Sequence, residues 1–225
     1  VTGIDIDAEK VERMAAMGQR LAVGAGTGFA VRASTDKDDA VAGADFALSS
    51  IGGCGAEVTP NVYHSNYHNA DIRIPGQYGI SQVIGDTCGP AGMMMALRSI
   101  PVYLELAREM QQRCPEVVLL NHSNPMAVIC RALHKYTDIA VVGICHGVQA
   151  GIAYAAEILE LPVAELNCTW IGTNHYFWFT QVKHMAKDVY PELMRRVARR
   201  QAPAGRQLSA RLSQIYGHHI VSVSY

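Results

Sequence analysis

Three apolar runs along the chain end in the same kind of polar tip. Residues 117–120 lead into Asn121, His122, Ser123 and Asn124; residues 141–144 lead into Cys145 and His146; and Trp170-Ile171 leads through Gly172 and Thr173 to Asn174 and His175. Each run is rich in β-formers, and each tip offers amides, a thiol or an imidazole. This pattern predicts buried parallel strands that deliver side chains to a site at their carboxyl ends. The amino-terminal part repeats the rhythm on a smaller scale. A short strand within residues 1–7 ends in acid, an amphipathic helix over 8–17 stops at Gly18, and a strand over 29–33 follows. Next come a helix over 37–42 capped from Ser34-Thr35-Asp36 and a strand over 44–51 closed by Gly52-Gly53. Strands alternating with helices predict an α/β fold with a doubly wound parallel sheet.

Between Cys54 and Asn69 the periodicity lapses into a loop, and the glycine-rich stretch around Gln82, Asp86 and Thr87 suggests backbone held close to a ligand. A helix over 93–114 should bend near Pro101, and Pro125 opens a helix through Lys135 in the position that proline tolerates best. A further helix is expected over 147–161. Residues 183–216 read as helical and arginine-rich, broken near Pro203-Ala204-Gly205, with Arg195, Arg196, Arg199 and Arg200 as a solvated face. The last residues, 220–225, alternate like a strand without a partner. Gly24-Ala25-Gly26-Thr27-Gly28 has the spacing of a turn and not of a dinucleotide fingerprint, and no strand with a G-x-G-x-x-G turn precedes Val1.

Composition narrows the function. A chain of 225 residues, 49% hydrophobic, can bury a substantial core. A net charge of −1 gives no basic field for nucleic acid or an anionic membrane, and no apolar run reaches the length of a membrane span. Six cysteines without a C-x-x-C pair suggest reduced thiols in a cytoplasmic protein, most of them small buried hydrophobes. Cys145 is the exception, because it lies just ahead of a helix amino terminus whose dipole favours an anion. A thiol and an imidazole together are borderline-soft ligands for a divalent transition metal. At the other end of the chain, Asp5 or Asp7 closes the first strand. Such an acid either binds an adenosine ribose or caps the following helix.

Taken in order, Asp5-Ile6-Asp7, Ile74-Pro75-x-x-Tyr78-Gly79, Gly85-Asp86-Thr87-x-Gly89-Pro90-x-Gly92, residues 96–101, Ser123-Asn124-Pro125-Met126-Ala127, Gly143-Ile144-Cys145-His146-Gly147 and Gly172-Thr173-Asn174-His175 resemble glycoside hydrolase family 4. The resemblance implies a Rossmann-like domain related to lactate and malate dehydrogenases over residues 1–145, lacking its first strand and glycine-rich loop. Part of an α+β substrate domain follows over 146–225. It implies NAD and Mn²⁺ as cofactors, with Cys145 and His175 as metal ligands and Asn124 touching sugar hydroxyls. His146 and Asn174 flank the ligands, Asp5 binds the ribose, and Ser50 and Asn121 lie at the cofactor. Cys-His after Gly-Ile resembles the α-glycosidase branch acting on unphosphorylated sugars. The implied reaction oxidises the sugar at C3, removes the C2 proton, expels the glycosidic oxygen, adds water and returns the hydride, departing from the two-carboxylate scheme of most glycosidases. No residue matches the family's C2 base, and Ala91 stands where a glycine is common. The expected partner is a small sugar or glycoside, and the expected assembly a homodimer or homotetramer. Two other readings stay open: a 2-hydroxy-acid dehydrogenase using Arg98 and His175, or a non-catalytic fragment.

Overall fold

The structure is a computed structural model that describes residues 1–51, 66–82, 85–173, 175–199 and 207–222. The first part alternates strand and helix. β1 (Thr2–Ile4), α1 (Ala8–Gly24) and β2 (Arg32–Ser34) form a parallel pair with its crossover helix. After α2 (Lys37–Val41), strand β3 (Phe46–Ser49) pairs in parallel with β4 (Val118–Asn121), and β4 pairs in parallel with β5 (Ala140–Gly143). Between β3 and β4 lie α3 (Asn66–Gly76) and α4 (Gly89–Arg113), and α5 (Met126–Tyr136) joins β4 to β5. The expected parallel α/β layer is therefore present as two parallel sheets.

Helix α1 begins where the Asp7 carboxylate accepts the Lys10 amide at 3.1 Å, so Asp7 is its cap. It does not stop at Gly18. A Cβ there would lie 3.3 Å from the Val31 side chain, so this glycine lets the helix run close past the segment entering β2. The helix instead ends near Gly26, whose φ is 65°. Helix α4 starts earlier than its apolar periodicity indicates, because Pro90 occupies the first turn, where its missing amide costs nothing. From its buried face, Tyr103, Ala107 and Met110 pack with Leu119, Ile129, Leu133 and Val141 into one hydrophobic cluster. Helix α3 was not visible in the apolar pattern; it carries Pro75 in its last turn.

The second part departs further from expectation. After α6 (Gly147–Leu159), the run around Trp170 is not a parallel strand. It belongs to an antiparallel hairpin of β6 (Leu166–Thr173) and β7 (Tyr176–His184), with a register shift between Thr169 and Trp170. A short β8 (Lys187–Asp188) pairs with β7, so the chain near Lys183 is strand and not helix. Helices α7 (Tyr190–Arg199) and α8 (Gln207–Tyr216) follow, and β9 (Ile220–Ser222) does find a partner, pairing antiparallel with β7. Phe177, Phe179, Val182, Leu193 and Val221 close with Tyr154 and Ile158 into a second cluster. Among the described residues, no helix is long and apolar enough to cross a membrane.

Candidate active site

The carboxyl ends of β3, β4 and β5 are laced together by backbone and side-chain bonds. The His122 amide donates to the Ser49 carbonyl at 2.9 Å and the Ile144 amide to the Asn121 carbonyl at 2.8 Å. Asn121 is fully buried. Its amide group donates to the Ser123 carbonyl at 3.2 Å, and its oxygen accepts from the Ser123 amide at 3.0 Å and from the Ser49 hydroxyl at 3.3 Å. These bonds fix the loop that carries Asn124. Ser123 completes the loop by donating to the Ile51 carbonyl at 2.7 Å.

Asn124 then meets a segment that arrives from the other side. Its amide donates to Asp86 Oδ2 at 2.6 Å. Asp86 is 3% exposed, and a carboxylate so buried persists only with donors around it. The Thr87 hydroxyl is 3.2 Å from Asp86 Oδ1 and 3.3 Å from His175 Nδ1, and that same Nδ1 is 3.9 Å from Asp86 Oδ1. His175 projects from the β6–β7 turn with a φ of 64°, a left-handed conformation uncommon for a residue with a side chain. The structure thus joins Asn124, Asp86, Thr87 and His175 across three separate segments.

The Asp86-Thr87 loop is held by its glycines and by Gln82. A Cβ on Gly92 would fall 2.5 Å from the Thr87 carbonyl carbon, so only glycine lets the first turn of α4 approach this loop. Gln82 accepts the Ala91 amide at 2.9 Å and donates to the Asp71 carbonyl at 3.1 Å, tying α4 to α3. Asp86 and Thr87 were not singled out as site residues from the sequence. Their signal in the sequence is an acid between glycines just before a helix, which equally fits a helix cap; burial distinguishes the two.

The remaining predicted residues lie around this chain of contacts. Cys145 is half-buried and its sulfur accepts the Gly147 amide at 3.4 Å, at the amino terminus of α6. His146 is exposed at the cap position of α6, and Ser50 is exposed just past β3. Asn174 lies outside the described residues. Asp5 is paired with Lys10 at 2.7 Å and accepts the Asp7 amide at 3.1 Å. Partial burial pushes its carboxyl up, but these bonds outweigh burial and hold it below the ordinary carboxylate range. Arg98 is engaged by Asp71. Its guanidinium forks onto Asp71 and lies over the Tyr67 ring, 5.7 Å from the centroid.

Among the described residues, no three or more His, Cys, Asp or Glu side chains are grouped to enclose an ion. One thiol and one imidazole fit a divalent first-row metal whose other positions are filled by oxygens of water or substrate, which is an open and not a closed site. With Nδ1 of His175 occupied by the Thr87 contact, its other ring nitrogen is the one available to a metal.

A sequence model of the family described as family 4 glycosyl hydrolase matches residues 1–161, most of the chain and all of its parallel sheets. The chain belongs to the family 4 glycosyl hydrolases. An α-galactosidase of Bacillus subtilis (strain 168) is 30% identical over 197 residues, 88% of this chain and 44% of its own length. An α-galacturonidase of Thermoanaerobacter italicus (strain DSM 9252 / Ab9) is 34% identical over 161 residues, 68% of this chain and 34% of its own length. A solved 6-phospho-α-glucosidase from gut microorganisms, in complex with NAD and Mn²⁺, superposes with a TM-score of 0.81 at 23% identity, covering all of this chain and 52% of that one. The Rossmann-like fold is thus shared with that enzyme. The chain spans less than half the length of these curated relatives.

Proposed function

We propose that the protein hydrolyses α-glycosides by oxidation at sugar C3, deprotonation at C2 and elimination at C1, followed by water addition and re-reduction. When bound, NAD⁺ supplies the hydride acceptor and Mn²⁺ a Lewis acid for the C2 and C3 oxygens. Cys145 and His175 are the residues that hold the metal. Asn124 offers its amide to the sugar hydroxyls beside the nicotinamide, and Asp5 takes the ribose at the end of β1. The observation that carries the reading is the link of Asn124 and His175 through one buried carboxylate, which sets a sugar-contacting amide and a metal ligand in fixed relation. His146 and Asn174 flank the ligands and orient them. Ser50 lines the cofactor side and Asn121 supports it from below. The division into a cofactor part, 1–145, and a substrate and metal part, 146–225, agrees with the two separate hydrophobic clusters. We assign the protein to the cytoplasm and to a homodimer or homotetramer, in keeping with the free thiols among the described residues and with its family.

Cleavage of 4-nitrophenyl α-galactoside, α-glucoside and α-galacturonide by the protein tests the proposal. Release of nitrophenol should require NAD⁺, Mn²⁺ and a thiol reductant together, because Cys145 is open to oxidation. Turnover unaffected by omitting NAD⁺ overturns it. The dehydrogenase reading needs Arg98 to meet a carboxylate beside His175, and Arg98 is instead engaged by Asp71. Net NADH accumulation with malate or lactate would restore that reading.

A further inference from the structure

The contacts around His175 set more than its position. Thr87 has one hydroxyl proton and stands between two groups, the Asp86 carboxylate at 3.2 Å and His175 Nδ1 at 3.3 Å. The Thr87 hydroxyl donates to Asp86 Oδ1, the carboxylate oxygen serving as acceptor. The Thr87 oxygen is then an acceptor toward His175, and Nδ1 must carry the proton. The opposite arrangement, with Nδ1 bare, would spend the Thr87 proton on the ring and take one donor from a carboxylate that is 3% exposed.

We infer that Thr87 and Asp86 are positioning residues that hold His175 in the Nδ1–H tautomer, leaving the Nε2 lone pair directed to the site. The inference rests on the reading of His175 as a metal ligand for its functional meaning, but the tautomer itself does not depend on any metal. It also explains why one acid serves two functional side chains. Asp86 Oδ1 sets the proton on the metal-binding ring through Thr87, while Oδ2 holds the Asn124 amide at 2.6 Å. A carboxylate behind a ligating imidazole fixes ring orientation and raises its donor strength. Here a hydroxyl relays that effect. His175, at a φ of 64°, meets the loop before α4 through its contact with Thr87.

The test is ¹⁵N nuclear magnetic resonance of histidine-labelled, metal-free protein, at a pH above the histidine range, where two-bond couplings distinguish the tautomers. His175 should show Nδ1–H in the parent and in Thr87→Ser, which keeps the relay. It should shift toward Nε2–H in Thr87→Val, with Thr87→Ala as a second variant should valine disturb the fold. In parallel, Mn²⁺ affinity is read from the electron paramagnetic resonance of the free ion. Thr87→Val should weaken it by roughly ten- to a hundredfold, with Thr87→Ser retaining it. A parent His175 in the Nε2–H form, or a Thr87→Val protein with unchanged tautomer, overturns the inference. A parent protein that keeps the Nδ1–H tautomer and binds no Mn²⁺ supports the relay and overturns the metal assignment under Proposed function, so the two failures are separable.

Discussion

Burial sorts the cysteine side chains into two kinds. Desolvation raises the thiols of Cys114 and Cys130 and pushes Cys168, packed among the aromatic residues of the second cluster, up to about 11. A raised thiol stays protonated in the folded protein. Its contribution to stability is complete below the unfolded pKa and is lost as pH rises toward the folded value. Cys88, by contrast, is exposed. Brief treatment with iodoacetamide at mildly alkaline pH should therefore alkylate Cys88 and spare Cys168 until the protein unfolds, as read by peptide mass mapping. Equal rates at the two positions would contradict the burial described here. At this scale the sequence was legible where chemistry is unusual. Cys145 ahead of a helix and Asp7 before another were readable from type and position. Asp86 was not, because its importance comes from burial and from neighbours 38 and 88 positions away in sequence, the distances separating Asn124 from Asp86 and His175 from Thr87.

Among the elements, β4 and β5 were legible because each is a short apolar run, Val118-Leu119-Leu120 and Ala140-Val141-Val142, with buried positions alternating along it. The β6–β7 hairpin was misread for a physical reason. Its turn is Thr173 to Tyr176, without the Asn-Gly or Asp-Gly pair that marks a two-residue hairpin, and the polar residues at the reversal look the same as the polar tip of a parallel strand. What holds the hairpin is the row Phe177, Phe179 and Val182 on one side of β7, which packs onto α6 and α7. Phe179 is fully buried, and its ring meets Phe177 edge-on with centroids 5.7 Å apart. Truncating Phe179→Ala should cost about 3–5 kcal/mol in urea unfolding, the ordinary range for a large buried aromatic. A loss under about 1 kcal/mol would mean that this strand is not part of the core described here.

For the molecule as a whole, the relation between the two parts is what the sequence conveyed least. The β-α-β rhythm was enough to foresee a parallel layer. It could not reveal that β9 closes onto β7 or that the site is joined across the boundary by Asp86, since both depend on contacts between distant segments. The parallel sheet β3–β4–β5 is backed by α4 and α5, whereas Phe46, Leu48 and Val142 on its other face are exposed. The antiparallel part is thinner still, with most of β6 open to solvent.

The chain has two tryptophans, and both lie on the hairpin that carries His175: Trp170 on β6, half exposed, and Trp178 on β7, edge-on to Tyr176 at 5.0 Å. Tryptophan emission, excited beyond the absorption of tyrosines such as Tyr103 of the first cluster, is therefore a private window on that element, while far-ultraviolet circular dichroism is dominated by helices such as α4 and α5. With so little of β6 buried, the hairpin should open first. Its emission should change at lower urea than the dichroism does, and superimposable curves would show instead that the two parts of the chain melt as one.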